Sequence, residues 1–152
     1  MRVILLHPAH DVLVWITVFA VCVGCLSANA DARTLTAAEW KAIQRVIAEQ
    51  RTALIEGNAD KAFGYATDAI KQQFGDAETF MSMVRTGYAA LLSARYVEFL
   101  EGAVIEGVVV QPLRLIGTDN TVLVALYTLE KQKNGKWRIA GCRIAPSTVQ
   151  AA

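Results

Sequence analysis

Residues 121–144 read TVLVALYTLEKQKNGKWRIAGCRI. Two runs rich in Val, Leu, Ile and aromatic residues, Thr121–Lys131 and Lys136–Ile144, flank the compact segment Lys133-Asn134-Gly135. Asn-Gly tolerates the positive φ that a tight connection between antiparallel strands requires, so the stretch reads as a hairpin. Working outward, Gly117-Thr118-Asp119-Asn120 is a second compact turn, preceded by a strand from Val108 to Ile116. The last three strands are therefore expected to pair antiparallel in chain order. A further strand is read from Arg95 to Glu101, with Gly102 and Gly107 bracketing a looser or bulged corner. Pro112 has no N–H to give to a ladder, so its strand is expected at an edge or bulged there.

Before residue 95 the apolar period is helical. Thr36 and Glu39 have the spacing of a capping box, Trp40, Ile43, Ile47 and Leu54 follow at helical intervals, and Gly57 supplies a stop. Asn58–Ala66 reads as a short helix, and Thr67-Asp68 opens another that passes Ile70 and Phe74 and ends at Gly75. Asp76 caps a helix from Ala77 to about Arg85, with Phe80, Met81 and Val84 as its apolar stripe and Gly87 as its end. Helices first and strands afterwards predict an α+β fold: N-terminal helices on one face of a curved, mainly antiparallel four-stranded sheet. With Gly102, Gly107 and Pro112 as bending points, the sheet is expected to wrap into a cone around a cavity. Leu113, Leu115, Val122, Val124 and Leu126 are the residues that would fill it.

The N-terminal thirty residues have the order of a signal peptide. Arg2 precedes the uncharged run Val12–Leu26 (VLVWITVFAVCVGCL), which is shorter than a span of about 20 residues. Ser27-Ala28-Asn29-Ala30 follows, and Ala28 with Ala30 makes the A-x-A pattern, so cleavage is expected after Ala30, leaving Asp31 first. Two alternatives stay open: an uncut anchor, and lipidation at Cys25, although Cys22 stands where a lipobox asks for an aliphatic residue. On this division residues 1–30 are the signal, 31–35 a short arm, 36–146 a single domain and 147–152 a tail. The product is expected to be periplasmic or secreted, with no stable membrane span once the signal is cut.

Composition narrows the function. Fifteen Lys and Arg balance fourteen Asp and Glu, giving a net charge of +1, and the signs alternate along the domain. No basic stripe marks a nucleic-acid partner. The two histidines, His7 and His10, fall in the leader, so the mature chain has none for a triad, a Cys–His dyad or a His-ligated metal. Cys22 and Cys25 leave with the signal, and Cys142 is read as a buried small hydrophobe. No cofactor and no metal are expected. Asp68 and Asp76 have the positions of helix caps, while Glu98 and Glu130 lie in strands, where one could face a cavity as a base.

Four linked stretches carry a family likeness: Ala62-Phe63, Phe74-Gly75, Met83-Val84-x-x-Gly87-Tyr88, and Asn134-Gly135-Lys136-Trp137-Arg138-Ile139-Ala140-Gly141-Cys142. Together they resemble a family of small exported bacterial proteins known as a domain of unknown function. That family resembles in turn the nuclear-transport-factor-two-like, cystatin-like cone superfamily, which includes polyketide cyclases and ketosteroid isomerases. The resemblance covers about residues 36 to 145, and its most specific part is the G-K-W-R-I-x-G-C stretch. Where the family pattern implies a Pro- and Arg-rich turn, this chain has Ala89-Ala90-Leu91-Leu92-Ser93-Ala94. The resemblance implies the fold and little about activity, because such folds host many functions.

The expectation is therefore a periplasmic binding or accessory module for a small apolar ligand or a protein partner. Tyr88, Tyr127, Trp137, Tyr96 and Phe99 are its candidate ligand-binding residues. Tyr88 and Tyr127 stand out, because a buried phenol needs a partner that a ligand would supply. The alternatives are a carboxylate-dependent isomerase, cyclase or dehydratase and a homodimeric structural protein.

Overall fold

The computed structural model describes residues 34–147. The residues of the expected cleavage site, Ala28, Ala30 and Asp31, and Cys25, lie outside them. The described residues form five helices followed by a five-stranded antiparallel sheet.

The longest helix, α1 (Ala37–Ile55), begins as its sequence dictates. The Thr36 side chain accepts the Glu39 N–H at 3.2 Å and the Glu39 carboxylate accepts the Thr36 N–H at 3.0 Å. Such a cap is worth about 1 kcal/mol. The chain leaves α1 through Gly57 at φ +70. Asn58 caps α2 (Ala59–Gly64), Thr67 caps α3 (Asp68–Phe74), and Asp76 caps α4 (Ala77–Gly87) with a 2.7 Å bond to the Thr79 N–H. Asp68 is thus the first residue of its helix and not its cap. A fifth helix, α5 (Ala89–Ser93), occupies the segment expected as a turn. It has no side-chain cap of its own. Arg51, on α1, instead donates to the Leu91 and Ala94 carbonyls at its C-terminal end, at 2.8 and 3.1 Å.

The strands are β1 (Tyr96–Phe99), β2 (Ala103–Ile105), β3 (Val108–Ile116), β4 (Val122–Lys131) and β5 (Trp137–Pro146). Their order is β1-β3-β4-β5, with β2 paired to β3 on the same side as β1. The last three strands pair antiparallel in chain order, as their turns imply. The sheet has five strands where four were expected, because Glu106 and Gly107 both take positive φ (51 and 80). That is the backbone of a two-residue hairpin, which joins β2 to β3 in place of a loose corner.

Pro112 also departs from expectation. Its strand, β3, is interior, and the interruption lies in the neighbouring edge between β1 and β2. Leu100 N–H bonds to the Pro112 carbonyl at 3.1 Å, but proline cannot return the bond. The fully buried Gln111 side chain donates to the Leu100 carbonyl instead, at 2.7 Å. At the same break Gly102 lies under the Trp40 ring, where an added Cβ would come within 2.3 Å of a ring carbon.

Burial alternates along the sheet. Val109, Gln111, Leu113 and Leu115 of β3 and Ala125, Tyr127 and Leu129 of β4 face the helices. Val122, Val124 and Leu126 therefore stand on the other face and do not fill the interior as expected. In β5 the phase changes: Leu129 pairs with Ile139 but Thr128 pairs with Gly141, leaving Ala140 as an extra residue. This bulge puts Trp137 and Ile139 inside before it and Cys142 and Ile144 inside after it.

Two apolar clusters result. One joins the sheet to Ile43 and Ile47 of α1 and Leu91 of α5; the other joins the end of α1 to α2 and α4. Each fully buried Ile or Leu in them contributes about 1.5–3 kcal/mol. Tyr88 packs against both clusters.

Candidate functional site

The seam between the two clusters opens into a cleft of about 450 Å³. Gln50 and Leu54 of α1 form one side, and Phe74 of α3 with Phe80 and Met83 of α4 form the other. Tyr88, Leu91, Tyr127 and the bulged segment Ile139–Cys142 close the sheet side. The aromatic wall is braced from behind. Phe80 stands edge-on to Phe74 with centroids 5.7 Å apart, and Phe63 lies against it at 5.3 Å. The bulge brings β5 backbone to the cleft at Ala140 and Gly141.

Two of the five candidate binding residues meet here. Tyr88 closes the junction of α4 and α5, and its hydroxyl donates to the Cys142 carbonyl at 2.9 Å. The protein thus supplies the partner expected from a ligand. Tyr127 is 1 % exposed, and its hydroxyl has no oxygen or nitrogen partner. The Cys142 thiol, across the β4–β5 ladder, lies beside it, but sulfur is a weak partner. Trp137, Tyr96 and Phe99 do not line the cleft. Trp137 is core beneath Lys131, whose ammonium lies 5.8 Å from its ring centre. Tyr96 is exposed on β1, and Phe99 packs on the sheet-side cluster.

The electrostatics are those of a neutral site. No Asp, Glu, His, Lys or Arg lines the cleft. Burial pushes the Cys142 thiol up to about 12 and holds the Tyr127 phenol well above its ordinary range, so both stay protonated at neutral pH. The carboxylates noted in the sequence lie elsewhere. Glu98 pairs with Arg114 at 2.7 Å on the sheet face away from the helices, and Glu130 is exposed opposite Arg138. Asp76 serves as a helix cap, and its hydrogen bonds to Thr79 hold its carboxyl below the usual range. Among the described residues no group of His, Cys, Asp and Glu could hold a metal.

The sequence points to the tyrosines, reads Leu54 and Met83 as core, and gives no role to Gln50. Gln50 carries the one available signal, a polar residue in line with the apolar stripe of α1, and it is 4 % exposed. Its amide N–H goes to the Ala62 carbonyl at 3.2 Å.

The chain belongs to the family described as Domain of unknown function (DUF4864), whose model matches residues 36–152. No curated protein and no solved structure matches it.

Proposed function

We propose that this member of the family is an exported binding module whose cleft holds a small, largely apolar molecule or an apolar segment of a protein partner. One observation carries it: a 450 Å³ cleft with mainly aromatic and aliphatic walls, two glutamines but no charged side chain in its lining, and in Tyr127 a buried phenol without an oxygen or nitrogen partner. Pockets of this size and make-up are typical of small-molecule sites. The same lining offers no general base, so it favours binding over carboxylate-dependent catalysis. Helices preceding a bulged antiparallel sheet support a cone-like arrangement akin to the nuclear-transport-factor-two-like superfamily. Export is supported by the uncharged run Val12–Leu26 followed by Ala28-Asn29-Ala30, with cleavage before Asp31. Among the described residues no helix is long and apolar enough to cross a membrane.

The test is a native mass spectrum of the full-length product, expressed with its own leader and recovered from both periplasm and membranes. The expected species is soluble, begins at Asp31 and carries extra non-protein mass. A soluble species without added mass would count against a retained small ligand. A membrane species beginning at Cys25 with acyl mass would replace the cleaved export proposed here with lipid anchoring.

A further inference from the structure

We propose that the ligand of this cleft is a neutral, mainly hydrocarbon molecule with one oxygen-bearing head, a hydroxyl or a carbonyl, that accepts a hydrogen bond from Tyr127. The inference rests on the binding function proposed above and specifies its ligand. Among the described residues, the Tyr127 hydroxyl is the buried side-chain oxygen left without an oxygen or nitrogen partner, with only the weakly accepting Cys142 thiol beside it. Native proteins rarely leave such a group unpaired, and a binding site is one of the places where they do. Its strand lies between β3 and β5 and the residue is 1 % exposed, so the hydroxyl is shut off from bulk water. A phenol can donate, and an oxygen acceptor would give its proton a stronger partner than the neighbouring sulfur.

The charge of that acceptor follows from the rest of the lining. With no Lys, Arg or His in the walls, a carboxylate head would be stripped of water and meet no counter-charge. Arg51 is the nearby cation, but its Nε and Nη2 already donate to the Leu91 and Ala94 carbonyls and it is not part of the lining. Its charge reaches Tyr127 only through space. Gln50 adds a complementary group. Its amide N–H is used by the Ala62 carbonyl, and its amide oxygen makes no hydrogen bond. A hydroxyl head therefore finds an acceptor for its own proton within the same walls, while Phe74, Phe80 and Met83 take the hydrocarbon.

The experiment compares decan-1-ol with decanoate at neutral pH, each titrated against the purified protein by displacement of the neutral dye Nile red. The alcohol should bind at least about tenfold more tightly than the carboxylate, and Tyr127→Phe should weaken the alcohol about three- to tenfold while leaving decanoate unchanged. Met83→Trp, which fills the cleft, should abolish binding of both. Equal or tighter binding of decanoate would overturn the proposal, as would an unchanged alcohol affinity in Tyr127→Phe or survival of binding in Met83→Trp. Nile red binding without displacement by either decyl compound would sink the head-group assignment and leave the binding function standing. No uptake of dye or decyl compound would overturn both.

Discussion

At the scale of single residues, Tyr127 and Cys142 tie stability to function. A buried hydroxyl with only a thiol for a partner is a standing penalty, so Tyr127→Phe should stabilise the ligand-free protein by about 1 kcal/mol, measured by urea unfolding. The pH dependence has a definite sign. Both groups have folded-state pKa values raised by burial, from 9.0 to about 12 for Cys142 and upward from 10.0 for Tyr127. Their unfolded forms release protons first as the solution becomes alkaline. The stability linked to them is therefore fully present below pH 9 and is lost as pH rises from there towards about 12. Tyr127→Phe should flatten that decline, and a decline identical to wild type would show that Tyr127 does not contribute to it. The need of both phenols for a partner was legible in the sequence. Which one the protein satisfies was not, because Tyr88 reaches a carbonyl 54 positions away.

At the scale of elements, legibility followed local chemistry. The cap residues Thr36, Asn58, Thr67 and Asp76 and the positive-φ glycines Gly57 and Gly75 mark helix boundaries by short-range rules, and the structure agrees to within a residue or two. Two elements escaped for opposite reasons. Helix α5 has no side-chain N-cap and is held by Arg51 from across the fold, whereas β2 depends on a Glu-Gly turn whose glycine reads in the sequence as the flank of a looser or bulged corner. The Pro112 site shows the same limit. Beside the proline in this interior strand, the Gln111 side chain supplies Leu100 with the bond that Pro112 cannot. Gln111→Leu should therefore destabilise the protein by about 1–3 kcal/mol by orphaning that carbonyl. Pro112→Ala restores an N–H and should recover part of the loss, so a double-mutant cycle in denaturant should show coupling of at least about 0.5 kcal/mol. Additive effects would mean that the two residues do not share the carbonyl.

At the scale of the molecule, the cleft exists because two apolar clusters meet at Tyr88 without merging. No sequence period encodes that seam. The apolar stripe of each helix is visible, but the packing that leaves space between stripes is set by contacts among α1, α3, α4 and β5. The bulge at Ala140 hides half of the last strand in the same way, because its inward residues change phase midway. Bridging the seam should tighten the helical layer, so saturating decan-1-ol should slow amide hydrogen exchange in α3 and α4 more than in β3 and β4. Uniform protection across the chain would point to general stabilisation instead. The interrupted edge has a consequence for the protein in a crowd. An incoming extended chain needs a straight row of free backbone groups several residues long to dock and propagate. Along this side it meets a ledge of four residues in β1 and one of three in β2, separated by the segment where Gly102 lies under Trp40. Neighbouring copies can touch this edge but find too little of it to zip together, so growth by strand addition is blocked on the β1–β2 side and would have to start from β5 at the other edge.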